Sequence, residues 1–212
     1  MASALIHICI AKEVNKYLNM NEYDLILGSI APDISKQIGE TKEISHFLDP
    51  TNEDDIPNIN RFLKKYRNDL DHPFTMGYFI HLLTDKYWFR DYLYQFIERY
   101  TKSNVKKRIA FTAMRDLIYN DYTNLNTDLI DKYNLSLELF YEEYREPMTK
   151  ITEIPLDKLD ILIDKMGLIL EESKNDKNFV FDIHDVEVFI DNTVKYIIKD
   201  LQILGIKDGK WL

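Results

Sequence analysis

Apolar residues recur at three- and four-residue spacing along nearly the whole chain, the pattern of helices that bury one face. The first run, through Leu5, Ile8, Cys9, Val14, Tyr17 and Leu18, predicts an opening helix. A second, Tyr23 to Ile30, meets Gly28 and then Pro32. Proline cannot continue a helix and biases Ala31 toward an extended shape, so Asp33 is expected in a loop just past the helix end. From Ser35 to about Asn58 the chain is polar, with Pro50, Pro57 and the cluster Glu53, Asp54, Asp55. It predicts a long surface connection, a kind of segment that is usually functional or mobile. Asp71 then offers an N-cap and Pro73 a first-turn proline; Phe74, Tyr78, Ile80, His81, Leu82, Trp88, Phe89, Leu93 and Phe96 follow without a breaker. They predict a long, largely buried helix over about 73–100. Gly77 inside it costs roughly 1 kcal/mol relative to alanine, which points to the close approach of another backbone or a ligand near His81.

Downstream, Ser103 can cap a helix carrying Val105, Ile109, Ala113, Leu117 and Ile118. Further amphipathic stretches lie at about 122–133, 136–145, 157–172 and 185–204. Asn134, Pro147, Pro155 and the polar run Ser173 to Asn178 separate them. No stretch alternates long enough to predict a strand, and no repeat of fixed period occurs. The expected fold is a single all-α domain over residues 1–212, a bundle of about seven to nine helices.

Composition narrows the function classes. Lys and Arg number 27 against 36 Asp and Glu, a net charge of −9, so a broad electrostatic grip on nucleic acid or anionic membranes is not expected. The one basic cluster, Lys102 with Lys106, Lys107 and Arg108, is short and reads as a solvated helix face. Gly and Pro are scarce, at six each, which argues against turn-rich β-sandwiches and barrels. Cys9 is the only cysteine, so no internal disulfide forms and the chain suits a reducing compartment. The first ten residues lack a basic n-region, and no run of about 18 apolar residues occurs, so a cytoplasmic protein without a membrane span is expected.

The chemistry concentrates in the histidines. His81 and Asp85 stand at i and i+4 in an otherwise apolar segment, on one helix face, where an imidazole and a carboxylate converge on one cation. A carboxylate facing a core must be paired or bound to metal; the simpler reading has Asp85 facing solvent or paired with Lys86 or Arg90. His7 on the first helix, Asp33 after the proline and His46 in Ser45-His46-Phe47 are further candidates. Each also has an ordinary explanation: a core histidine, a turn or cap residue, an exposed loop histidine. Zinc takes imidazole and carboxylate ligands from distant segments and keeps an open position for water in catalytic sites.

The segments Gly28-Ser29-Ile30-Ala31-Pro32-Asp33, Ser45-His46-Phe47 and Gly77 to Trp88, in that order, resemble the zinc-dependent phospholipase C family, related to the P1-type nucleases. The resemblance covers roughly residues 1–90, and His7 is similar to the family's early histidine. It implies an all-α fold and a zinc cluster held by His7, Asp33, His46, His81 and Asp85, with Asp85 a bridge and Asp33 a base. It also implies hydrolysis of a phosphodiester, a phospholipid headgroup or a small phosphoester, by metal-activated water. The family's mature enzymes begin with a tryptophan whose amino group and carbonyl bind metal, whereas this chain starts Met1-Ala2. They also supply two histidines and a glutamate after the His-x-x-x-Asp helix, where this chain has only His184. One or two zinc ions are therefore expected, with Asp116 or Asp121 as supplementary ligands and helices from about 101 onward walling the pocket.

Three other readings are open. Phe47, Tyr78, Tyr87 and Trp88 could form a cation–π cage for choline, but an aromatic content of 13% makes core packing the simpler account. His184-Asp185 is the adjacent pair of an HD-type phosphohydrolase, although helix capping explains it. Outside enzymes, the alternative is a helical interaction protein with a structural or vestigial metal site.

Overall fold

A computed structural model of the chain describes residues 2–51, 55–103, 114, 117–118, 121, 124–135, 144–171, 182–207 and 210–211. The architecture is all-α, as the apolar spacing predicts. Helix α1 spans Ala4–Leu18, where Ser3 accepts a hydrogen bond from the Ile6 amide and Asn19 ends the helix in the left-handed region at φ 53°. α2 spans Glu22–Ile30, capped by Asn21, and passes directly into a 3-10 turn, Ala31–Asp33, and the one-turn α3, Ile34–Gln37. α4 spans Ile59–Tyr66 and α5 spans Pro73–Tyr87. A π turn, Trp88–Tyr92, joins α5 to α6, Leu93–Ser103. α7 is Asn126–Tyr133, α8 is Leu159–Glu171 and α9 is Ile183–Ile203. Two-residue strands β1, Ile206–Lys207, and β2, Lys210–Trp211, pair antiparallel. Among the described residues no helix is long and apolar enough to cross a membrane.

α1 and α5 form the centre. Every residue of α5 from Phe74 to Asp85 is buried, which agrees with its apolar run on all faces. α2 packs along α5 more extensively than any other helix pair, and α1 crosses α2, α5, α7 and α9. The α2–α5 contact is backbone to backbone, because a Cβ on Gly28 would stand 2.1 Å from the Phe74 carbonyl oxygen and one on Gly77 2.0 Å from that of Leu25. The cost of Gly77 in mid-helix thus has its reason: the two glycines bring the helices together where a side chain would hold them apart.

Several local expectations change. Asp33 lies in a buried 3-10 turn, not a loop, because Pro32 occupies the first turn, where a missing N–H and a φ near −65° are tolerated. The segment after Ser35 is not all surface: Ser45, His46, Phe47 and Leu48 are buried, and Leu48 pairs with Pro57 in an isolated antiparallel bridge. His72, not Asp71, occupies the cap position of α5, with no side-chain cap bond. The expected helix over 73–100 is divided by the π turn, Trp88–Tyr92. Trp88, which opens that turn, and Phe96 beyond it pack with ring centroids 5.7 Å apart, and Trp88 meets Phe189 of α9 edge-on. The helix expected from Ser103 and the one over 136–145 lie mostly outside the described residues; Tyr144 and Arg145 are not helical.

Candidate metal centre

Four segments deliver five chemically able side chains to one buried point. His7 projects from the first turns of α1, Asp33 from the turn after α2, His46 from the turn at 43–48, and His81 and Asp85 from adjacent turns of α5. None exceeds 8% exposure, and Asp33, at 8%, is the most exposed.

The turn carrying His46 is fixed by backbone bonds from His46 to the Lys42 carbonyl at 2.8 Å and from Leu48 to the Glu43 carbonyl at 2.9 Å. Phe47 in it takes a left-handed φ of 53°, a conformation that costs a bulky residue energy and is held here by its packing on Phe62, Tyr66 and Tyr78. The Tyr78 hydroxyl donates to the Ser45 carbonyl. Burial pushes the Tyr78 phenol well above its usual pKa, so it stays a donor. Tyr78, His81 and Asp85 stand at i, i+3 and i+7, so one stripe of α5 both supplies two site residues and anchors the turn holding a third.

His46 Nε2 and His81 Nε2 lie 3.2 Å apart. His46 Nε2 is 3.5 Å from Asp33 Oδ1 and 3.7 Å from Asp85 Oδ2, and His81 Nε2 is 3.8 Å from the same Asp85 oxygen. Asp85 Oδ1 faces the other way, 3.4 Å from His7 Nε2, and accepts a hydrogen bond from the Ala2 amide at 3.0 Å. The His7 and His81 rings stack at 3.8 Å, 8° from parallel. The ligand atoms form two overlapping triads, His7–Asp33–His81 and His46–His81–Asp85, each within 4.8 Å. Two ligands about 2.0–2.1 Å from a tetrahedral ion stand roughly 3.3 Å apart, so these separations are those of donors around a shared cation.

His81 is oriented by α2. Its Nδ1 donates to the Ser29 carbonyl at 2.8 Å, which leaves Nε2 as the lone-pair nitrogen when the ring is uncharged. Ser29 sits in the last turn of α2, where carbonyls lack helical donors, and Pro32 three residues on has no N–H to offer. Burial, aided by neighbouring His7, lowers the His81 pKa to about 3, so the ring is uncharged at neutral pH. Burial alone would raise Asp33, but His46, His81 and His7 outweigh it and hold the carboxyl at about 2. Burial also opposes ionisation of Asp85; the positive amino terminus first, then contacts with His7 and His81, keep it below the usual range. Both carboxylates are therefore ionised at neutral pH. No lysine or arginine among the described residues pairs with either one.

The donor set fits a metal ion. Five buried side-chain atoms among the described residues have no hydrogen-bond partner, and four belong here: His7 Nδ1 and Nε2, Asp33 Oδ1 and Asp85 Oδ2. At about 1–3 kcal/mol each, four such atoms would cost an amount comparable to the whole stability of a typical domain. A cation is a partner that satisfies carboxylate oxygens and imidazole lone pairs together.

All five residues expected at the site are brought together. Of the supplementary candidates, Asp121 is buried and Asp116 lies outside the described residues. Phe47, Tyr78 and Trp88 are core residues packed on other rings, and the Tyr87 hydroxyl donates to Asp200 at 2.7 Å, so no choline cage forms from them. His184 is exposed on the capping box of α9, formed by Asp182 and Asp185, away from an HD-type role. Burial raises the Cys9 thiol far above its usual range, so it is inert. Sequence reasoning missed Ser45, Tyr78 as an anchor, the Ser29 carbonyl and the Ala2 amide; only Tyr78 had a signal, its place on the His81–Asp85 stripe. Comparison with family models, curated proteins and solved structures finds no match to this chain.

Proposed function

We propose that this protein is a metal-dependent phosphoester hydrolase of the phospholipase C type, holding one or two zinc ions. The observation that carries the reading is the convergence at one buried point of three histidines and two ionised carboxylates that no lysine or arginine among the described residues pairs with. The order of the Ala-Pro-Asp, Ser-His-Phe and His-x-x-x-Asp motifs supports it. Asp33, His46, His81 and Asp85 would hold one ion, and His7 with Asp85 would serve a second where two are bound. A bound divalent ion supplies Lewis-acid polarisation of a phosphoryl oxygen and lowers the pKa of its water toward about 7. Asp33, the residue nearest solvent, would orient the attacking water and accept its proton. His81 stays an uncharged ligand, and the Ser29 carbonyl keeps its ring from turning. A small phosphoester or a phospholipid headgroup is the substrate class.

The near-complete burial of the cluster favours a second reading, a closed structural ion in a helical interaction protein. Elemental analysis of tag-free protein purified without chelators, with His81→Ala beside it, tests the first. One or two equivalents of zinc in the wild type, most of it lost in the variant, together with zinc-dependent hydrolysis of bis(p-nitrophenyl) phosphate, is the expected result. A wild type that takes no metal even when zinc is offered overturns it. Chelation that melts the fold of a protein without hydrolytic activity selects the structural reading.

A further inference from the structure

We propose that Ser45 is a positioning residue whose hydroxyl reverses its hydrogen bond as a cation enters, setting which ring nitrogen of His46 carries the proton. The inference rests on the metal reading above.

The donor and acceptor roles follow from the contacts. The Ser29 carbonyl can only accept, so a singly protonated His81 keeps its hydrogen on Nδ1 and turns a lone pair toward His46. His46 Nε2 is 3.2 Å from that lone pair, and two lone pairs at this distance repel. Without a cation a singly protonated His46 therefore carries its hydrogen on Nε2, where the Asp33 and Asp85 oxygens also lie at 3.5 and 3.7 Å, and its Nδ1 is a bare acceptor. Ser45 Oγ lies 2.9 Å from Nδ1 and donates to it. The chain of bonds is complete: Ser45 hydroxyl to His46, His46 to His81, His81 to Ser29.

A cation between the histidines needs lone pairs from both Nε2 atoms. The Nε2 proton then passes to water brought in with the hydrated cation, and Nδ1 takes one back from that water through the Ser45 hydroxyl, so the ring keeps one proton throughout and none is released. Nδ1–H now needs an acceptor, so the Ser45 hydroxyl must accept from it and donate elsewhere. The second acceptor is in place: the Lys42 carbonyl is 3.4 Å from Ser45 Oγ. Ser45 and His46 are each about 1% exposed, so bulk water does not replace the hydroxyl. The Tyr78 hydroxyl holds the Ser45 backbone while the side chain turns.

The test is ring nitrogen NMR of histidine-labelled wild type, with and without zinc, alongside zinc affinities of Ser45→Ala and Ser45→Thr by chelator competition. The expected result places the His46 proton on Nε2 in zinc-free protein and on Nδ1 in zinc-loaded protein. Ser45→Ala should lose about 10- to 100-fold in zinc affinity, the usual effect of removing a partner behind a ligand, and Ser45→Thr should recover most of it. A His46 proton on Nδ1 before zinc is added, or a Ser45→Ala affinity equal to wild type, overturns the proposal and leaves the metal site standing. A wild type that takes up no zinc overturns the metal site and the proposal together. Should Ser45→Ala not fold, the wild-type spectra decide.

Discussion

Replacing Gly77 with alanine should damage both the fold and the metal centre through one displacement. The added Cβ would lie 2.0 Å from the Leu25 carbonyl oxygen and 2.9 Å from the Ser29 amide nitrogen, both backbone atoms that cannot swing aside. Bringing the first contact out to 3.0 Å parts α2 from α5 by at least about 1 Å. The same movement stretches the 2.8 Å bond from His81 Nδ1 to the Ser29 carbonyl beyond hydrogen-bond length. Overpacking costs about 1–3 kcal/mol and the lost buried bond another 1–3, while alanine returns about 1 through helix propensity. A net loss of about 3 kcal/mol, at roughly 2–4 °C per kcal/mol for a chain of this size, lowers the melting temperature by about 6–12 °C.

Gly167→Ala is the internal control, because α8 leaves open space around that position and only the propensity gain of up to about 1 kcal/mol should appear. Thermal unfolding of metal-free wild type and both variants reads the stability, and chelator competition reads zinc affinity. The reasoning fails if Gly77→Ala melts at or above wild type while Gly167→Ala shows its ordinary gain. A Gly77→Ala protein that loses stability yet binds zinc as tightly as wild type would refute the coupling between helix spacing and site.

Acid should destabilise the metal-free protein over a defined window. His81 has a folded pKa of about 3 against an ordinary value of about 6.5, so below pH 6.5 the unfolded chain takes up a proton that the folded one refuses. Each unit of pH below that point costs up to about 1.4 kcal/mol until about pH 3, and Asp33, held at about 2, adds a further loss from about pH 3.8 downward. Melting curves from pH 8 to 4 test this, and a melting temperature unchanged between 6.5 and 4.5 contradicts it. Tyr78→Phe keeps the ring stacked on Phe62 but leaves the buried Ser45 carbonyl without its donor, a loss of about 1–3 kcal/mol together with weaker zinc binding. Denaturant midpoints and chelator competition that match wild type in both respects would rule it out.

Much of the site was legible because helical spacing is a local property. His81 and Asp85 are read from the i, i+4 interval in an apolar run, and Gly77 from its cost in mid-helix. His46 is the hardest candidate to place, since its segment is polar by composition and becomes buried only through long-range contacts. Tyr78, 33 positions away, anchors it, and Phe47 packs on rings of α4 and α5. Asp33 was set in a loop because proline excludes a helix interior, but not the first residues of a 3-10 turn. The Ser29 carbonyl that orients His81 has no side-chain signature at all.

Taken singly, each residue of the centre has an ordinary explanation, and burial decides against all of them jointly. A core histidine is normally hydrogen-bonded, yet both nitrogens of His7 are free. A turn aspartate normally caps or faces water, yet Asp33 Oδ1 does neither, and Asp85, in a helix buried from Phe74 onward, leaves Oδ2 toward two histidines. The amino terminus lends Asp85 some positive charge, but a His81 that stays uncharged to about pH 3 supplies none, and no lysine or arginine among the described residues pairs with either carboxylate. The glycine contact between α2 and α5 then gains a second meaning. It draws the Ser29 carbonyl onto His81 and the turn bearing Asp33 toward the same ring, so the packing that stabilises the helix pair also holds the candidate ligands at separations that could suit a metal ion.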